Sequence, residues 1–231
     1  VEVTDSTFRG SGTVALEVQG GAELRRFEGN VVTDNAVGVE VGPRIVASLG
    51  PGTYGPNDLD AIRVSGGEVN ADASWLAHDA PYVIEGDLRI TAPAGASARL
   101  TVGAGASLRL AAGRQITIDE NGGLALEGTA EAPVSLRSAS VAPARGQWNR
   151  LFFRGTSIAS ANRMSFAVVE HGGSSIDGMI EVEGGTGLSI TDSTLRSSGT
   201  QALVVNGGAT LDAFENNTVT DNAGYGVEVV P

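Results

Sequence analysis

Apolar and polar residues alternate in short triplets along most of the chain, as in Val39-Glu40-Val41, Ile116-Thr117-Ile118 and Ile180-Glu181-Val182. Alternation with period two places one side of a strand in a core and the other in water. The triplets also recur. Ile180/Val182 is followed by Leu203/Val205 and then by Val227/Val229, a step of roughly 23–24 residues, and Leu16/Val18 is followed by Val39/Val41. Gly20-Gly21, Gly184-Gly185 and Gly207-Gly208 lie just after such triplets. Glycine reaches positive φ without steric cost, so these pairs mark corners. Strand, corner, strand, corner, at about 24 residues per coil, predicts an all-β parallel β-helix of about nine or ten coils. No segment carries a useful helical period, so little or no helix is expected.

The middle of the chain repeats the pattern at shorter spacing. Apolar pairs stand at Leu88/Ile90, Leu100/Val102, Leu108/Leu110, Ile116/Ile118, Leu124/Leu126 and Val134/Leu136. Three such strands make one coil, so Leu100/Val102 should stack on Leu124/Leu126, and Leu108/Leu110 on Val134/Leu136. Residues 44–74 are looser. Gly50-Pro51-Gly52 and Gly55-Pro56 predict a protruding loop or a distorted corner. Residues 138–146 read as an outward loop before a strand at Leu151–Phe153.

A longer repeat contains these coils. Residues 1–43 nearly copy 188–231 at a shift of roughly 187 residues: Thr4-Asp5-Ser6-Thr7 matches Thr191-Asp192-Ser193-Thr194, and Thr33-Asp34-Asn35-Ala36 matches Thr220-Asp221-Asn222-Ala223. We read 1–231 as one continuous solenoid, with 1–43 closing one tandem unit and 44–231 forming a second. The first residue is Val and falls inside a repeat. The expectation is a module of a larger protein whose export signal lies outside this chain.

The order Trp75, Pro81-Tyr82-Val83-Ile84, the Leu100–Leu110 pairs, Gly123-Leu124-Ala125-Leu126, Ala132-Pro133-Val134 and Trp148, with Val169-Glu170-His171-Gly172-Gly173 further on, resembles bacterial right-handed parallel β-helix repeat proteins of pectin-lyase-like architecture. The resemblance covers essentially the whole chain. It implies a right-handed solenoid and a secreted or cell-surface protein. It does not select a function, because this architecture carries lyases, hydrolases, epimerases, adhesins and inert stalks alike.

Composition narrows the partners. The net charge is −12, and every basic residue is arginine or histidine. An acidic surface disfavours nucleic acid and anionic lipid. No apolar run is long enough to span a bilayer, so no membrane insertion is expected. There are 33 glycines and no cysteine. No motif calls for a cofactor. Carbohydrate or another protein remains as partner. Solenoid ends expose strand edges, so end-to-end or edge self-association is also expected.

Candidate chemistry is sparse. Asp192, Asp221 and Asn222 recur at equivalent coil positions in the first copy as Asp5, Asp34 and Asn35. A row of carboxylates on one face would suit acid–base work on a glycosidic bond or a cation. Recurrence favours a corner ladder instead, since a catalytic site is needed once and Asp and Asn bond to nearby backbone. Gly184-Gly185-Thr186-Gly187-Leu188-Ser189 opens like a calcium-binding turn but has Ser where Asp is required. Arg150 and Arg154 flank a bulky segment and are the strongest enzymatic candidates. Trp148, with Trp75, Tyr82, Phe152 and Phe153, has the side chain to stack on a sugar ring, but one large aromatic per few coils more often fills a corner or covers a loop. These observations predict a structural or adhesive module. The competing expectation is a carbohydrate-active enzyme or glycan-binding module working in a groove beside residues 44–74 or 138–147.

Overall fold

A computed structural model describes residues 1–19, 21–174 and 177–231. Gly20, one of the expected corner glycines, lies outside them. Among the described residues the chain is a parallel β-solenoid. Strands Val14–Val18, Val37–Val41, Leu59–Val64, Tyr82–Ile84, Ser107–Leu110, Val134–Ser138, Ala167–Glu170, Thr194–Arg196 and Thr218–Thr220 form a nine-stranded sheet, one strand per coil. A seven-stranded sheet runs from Gly67–Val69 to Val227–Val229, and a six-stranded sheet from Ala73–Trp75 to Thr210–Glu215. Among the described residues the helical content is two short 3-10 turns, Val46–Ser48 and Ala159–Ala161.

The alternating triplets set the registers. Ile180, Leu203 and Val227 stack in one row, and Val182, Val205 and Val229 in the next. Leu100/Val102 stacks on Leu124/Leu126 as expected. The other expected stack is displaced by two residues: Leu108 pairs with Leu136, and Leu110 with Ser138. Ala106 is buried, and its carbonyl accepts the Ser135 N–H at 3.0 Å. A displacement of two keeps every apolar residue on its own face, so the alternation alone does not forbid it.

Corners carry the left-handed residues. Asp5, Asp34, Asp192, Asn216 and Asp221 have φ between 49° and 58°. At Gly184 a Cβ would lie 2.2 Å from the Gly207 carbonyl oxygen, and at Gly155 the same distance from that of Gly184. This column of close backbone approach admits only glycine.

The two sequence copies do not occupy the same walls. Leu16 and Val18 stand in the nine-stranded sheet, whereas their equivalents Leu203 and Val205 stand in the seven-stranded one. Thr7–Phe8 pairs only with Val31–Val32, whereas the equivalent Thr194–Arg196 lies in the nine-stranded sheet. Residues 44–81 make the change. They do not protrude: Leu49 and Thr53 bridge to Phe27 and Val31 and extend the early ladders. The Thr7–Phe8 ladder ends where the Tyr54 N–H donates to the Asp79 carboxylate at 2.9 Å. The seven-stranded wall opens at Gly67.

A chain of rings fills the interior across this change. Phe8, Phe27, Tyr54, His78, Tyr82 and Trp75 follow one another at centroid separations of 4.5–6.2 Å. The Tyr54 and Tyr82 hydroxyls donate to the carbonyls of Gly50 and Leu76, each at 2.7 Å. Burial raises both phenols well above their ordinary range.

Candidate functional site

The recurrent Asp and Asn residues divide into two roles. The Asn side chains turn inward and join coils. Asn222 accepts the Ser198 N–H at 2.9 Å, and its equivalent Asn35 accepts the Ser11 N–H at 3.0 Å. Asn217 and Asn30 do the same for Ser193 and Ser6. The Asp residues point to solvent at separate corners. Asp192 accepts from Asn216 Nδ2 at 3.2 Å, and both Asp192 and Asp221 are exposed. They belong to different corners of the coil and do not converge. Among the described residues no group of three or more His, Cys, Asp and Glu side chains is placed to hold a metal ion.

Trp148 corrects the sequence expectation of a surface ring. It is fully buried, and its Nε1 donates to the Glu170 carbonyl at 2.8 Å. Gly172 leaves room for it, since a Cβ there would meet the indole at 2.6 Å. Trp75, Tyr82 and Phe153 are likewise inside. Phe152 alone of the stacking candidates is half-exposed.

Arg150 and Arg154 meet around that ring. Phe152 is the outward residue of its strand in the seven-stranded wall. The Arg150 guanidinium lies 4.1 Å from its centroid and that of Arg154 5.7 Å. Arg150 also bonds Asp177 at 2.9 Å and Glu181, the next outward residue of the wall. Burial pushes the Glu181 carboxyl above its ordinary value, against the pull of Arg150 and a hydrogen bond from Asn206. Arg154 lies 3.7 Å from Asp119 and 3.9 Å from Glu183. Asp119 in turn bonds Arg89 at 2.8 Å. Burial opposes its ionisation, but Arg89, the Glu120 N–H and Thr156 outweigh that and hold its carboxyl below the usual range. The cluster is an Arg–acid network on one lateral face, closed largely on itself. Single residues gave no signal for Glu181, because only the coil register brings it beside Phe152.

A groove of about 610 Å³ opens where the walls change, beside residues 44–74. Arg25, Glu40, Arg44, Ser48, Ser65 and Glu68 contribute to its lining. Its acids are engaged: Glu40 bonds Arg63 at 2.9 Å, and Glu68 lies 3.4 Å from Arg89. Arg89, Arg99 and Arg109 fall in three different sheets and share no site.

The fold defines a parallel β-solenoid in which polar side chains serve mainly as links between coils. No family model, curated protein or solved structure matches the chain. No helix among the described residues is long and apolar enough to cross a membrane.

Proposed function

We propose that the chain is a non-catalytic structural or adhesive module of a larger secreted or cell-surface bacterial protein, built as a right-handed solenoid of pectin-lyase-like architecture. The observation that carries this reading is the use of the recurrent residues. Asn30, Asn35, Asn217 and Asn222 each accept a backbone N–H from the adjacent coil, and the Asp partners lie apart at corners. A scaffold needs such links in every coil, whereas catalysis needs one convergent constellation. A glycan array, run together with an assay for unsaturated and reducing-end products, tests the reading. Turnover of any polysaccharide would overturn it.

A second reading rests on the Arg150–Phe152–Arg154 face. A half-exposed ring between two guanidinium groups suits a glycan-binding surface, or the groove of a carbohydrate-active enzyme. On that reading Phe152→Ala abolishes retention of a glycan hit from the array while the melting temperature stays near wild type. Retention unchanged in Phe152→Ala would dismiss it.

A further inference from the structure

The outward row of the nine-stranded sheet runs Glu17, Glu40, Arg63, Val83, Arg109 and Arg137, and the ladder carries it on to Glu170 and Arg196. Three acids in and beside this row are already committed to other arginines. Glu40 and Glu85 bond Arg63 at 2.9 and 2.7 Å. Glu170 bonds Arg196 at 2.7 Å. Arg109 and Arg137 pair strand to strand and form no ion pair or side-chain hydrogen bond among the described residues. Other arginines without ion pairs, such as Arg9, Arg44 and Arg145, are exposed, whereas these two are half-buried. The Nε of each is buried and lacks a hydrogen-bond partner.

Two cations one coil apart, about 4.8 Å along the sheet, repel each other. Burial and the Arg137 charge both weaken protonation of Arg109, against the pull of Asp60. The nearby acids leave the pair without an ion pair: Glu170, on the strand after Arg137, is held by Arg196, and Asp60 favours the Arg109 charge only at longer range. The neighbouring row holds small hydroxyls: Ser135 Oγ lies 3.0 Å from Ser107 Oγ. The result is two half-buried cations in adjacent coils with serine hydroxyls on the same two strands. A planar carboxylate fills one guanidinium fork. A tetrahedral oxyanion offers oxygens in several directions and bridges two forks on successive coils.

We propose that Arg109 and Arg137 together bind a tetrahedral oxyanion of the phosphate or sulfate class. This site lies on a different wall from the Phe152 face and does not depend on the scaffold reading.

Calorimetric titration of the 231-residue chain with inorganic phosphate, inorganic sulfate and acetate, at fixed ionic strength in chloride, tests it. The expected result is saturable binding of a tetrahedral ion, with acetate weaker. Arg109→Gln and Arg137→Gln should each weaken binding about tenfold or more, and Arg9→Gln should leave it unchanged. If Arg137→Gln does not fold, Arg137→Lys keeps the charge without the fork and should still weaken binding several-fold. A hexose phosphate and a hexose sulfate then distinguish the source of the ion, the tighter ester naming it. Absence of saturable binding, equal binding of acetate, or an equal loss in Arg9→Gln would each overturn the proposal.

Discussion

Asn57 sets its side-chain oxygen 3.1 Å from the Asn35 backbone nitrogen and 3.0 Å from Asn35 Nδ2. Asn35 in turn accepts the Ser11 N–H and donates to the Phe8 and Thr33 carbonyls. Three coils are thus tied by two amides, one of them fully buried. Asn35→Ala would leave several of these groups unpaired in the interior. We expect a loss of about 2–3 kcal/mol of unfolding free energy by urea titration. Asp34→Ala, one residue away at an exposed corner, should cost clearly less.

The corner acids should respond to backbone strain rather than to loss of charge. Asp192 sits at φ 50°. Asp192→Gly should stay within about 0.5 kcal/mol of wild type, whereas Asp192→Val should cost about 1–2 kcal/mol. Thermal melts of the two variants check this. Equal effects of Gly and Val would show that the carboxylate, not the conformation, is what the corner requires.

Acid should weaken the fold first through its histidines. Burial pushes His78 below its ordinary value, against the pull of Asp79 and a hydrogen bond to the Leu49 backbone. Burial also lowers His171, against Glu170. Both rings therefore hold fewer protons folded than unfolded. Their contribution is fully favourable above the unfolded value of about 6.5 and is lost as pH falls below it toward the folded values. Urea unfolding between pH 7.5 and 5 should show stability falling with pH. His78→Phe, which keeps a ring between Tyr54 and Tyr82, should reduce the slope. An unchanged slope would place the proton uptake elsewhere.

Trp148 should behave as core and not as a ligand platform. Trp148→Ala should destabilise by about 3–5 kcal/mol. A melting temperature unaffected by that change would contradict its enclosure beneath Gly172.

We also propose that the 231-residue polypeptide associates through its strand edges. Val39 and Val41 are buried beneath Ile62 and Val64, but their sequence equivalents Val227 and Val229 are 37% and 73% exposed. The same triplet is therefore covered in one copy and open in the other. Light scattering at high concentration should give a mass above the monomer, and Val229→Lys should return it to the monomer. A wild-type monomer at all concentrations would refute this.

The architecture was legible because its causes are local. Alternation gave the faces, the step from Leu203 to Val227 gave the coil, and paired glycines gave corners. The position of Ser138 over Leu110 was not legible, since slipping by two residues leaves the polarity pattern intact. Nor was the partner that lets Trp148 sit inside, the small residue Gly172 more than twenty positions away. Around Phe152 the sequence identified both arginines but not Glu181, Asp177 or Asp119, which only stacking brings to them. The pairing of Arg109 with Arg137 was not legible, because a missing counter-ion leaves no mark in one dimension.

The change of walls between residues 44 and 81 has a geometric effect on recognition. Glu40 and Glu228 sit in identical Val-Glu-Val triplets, yet one belongs to the nine-stranded wall and the other to the seven-stranded wall. A flat binder that reads this triplet can grip only one copy at a time. An antibody raised against it should therefore gain no avidity from the duplication when both arms approach from one side.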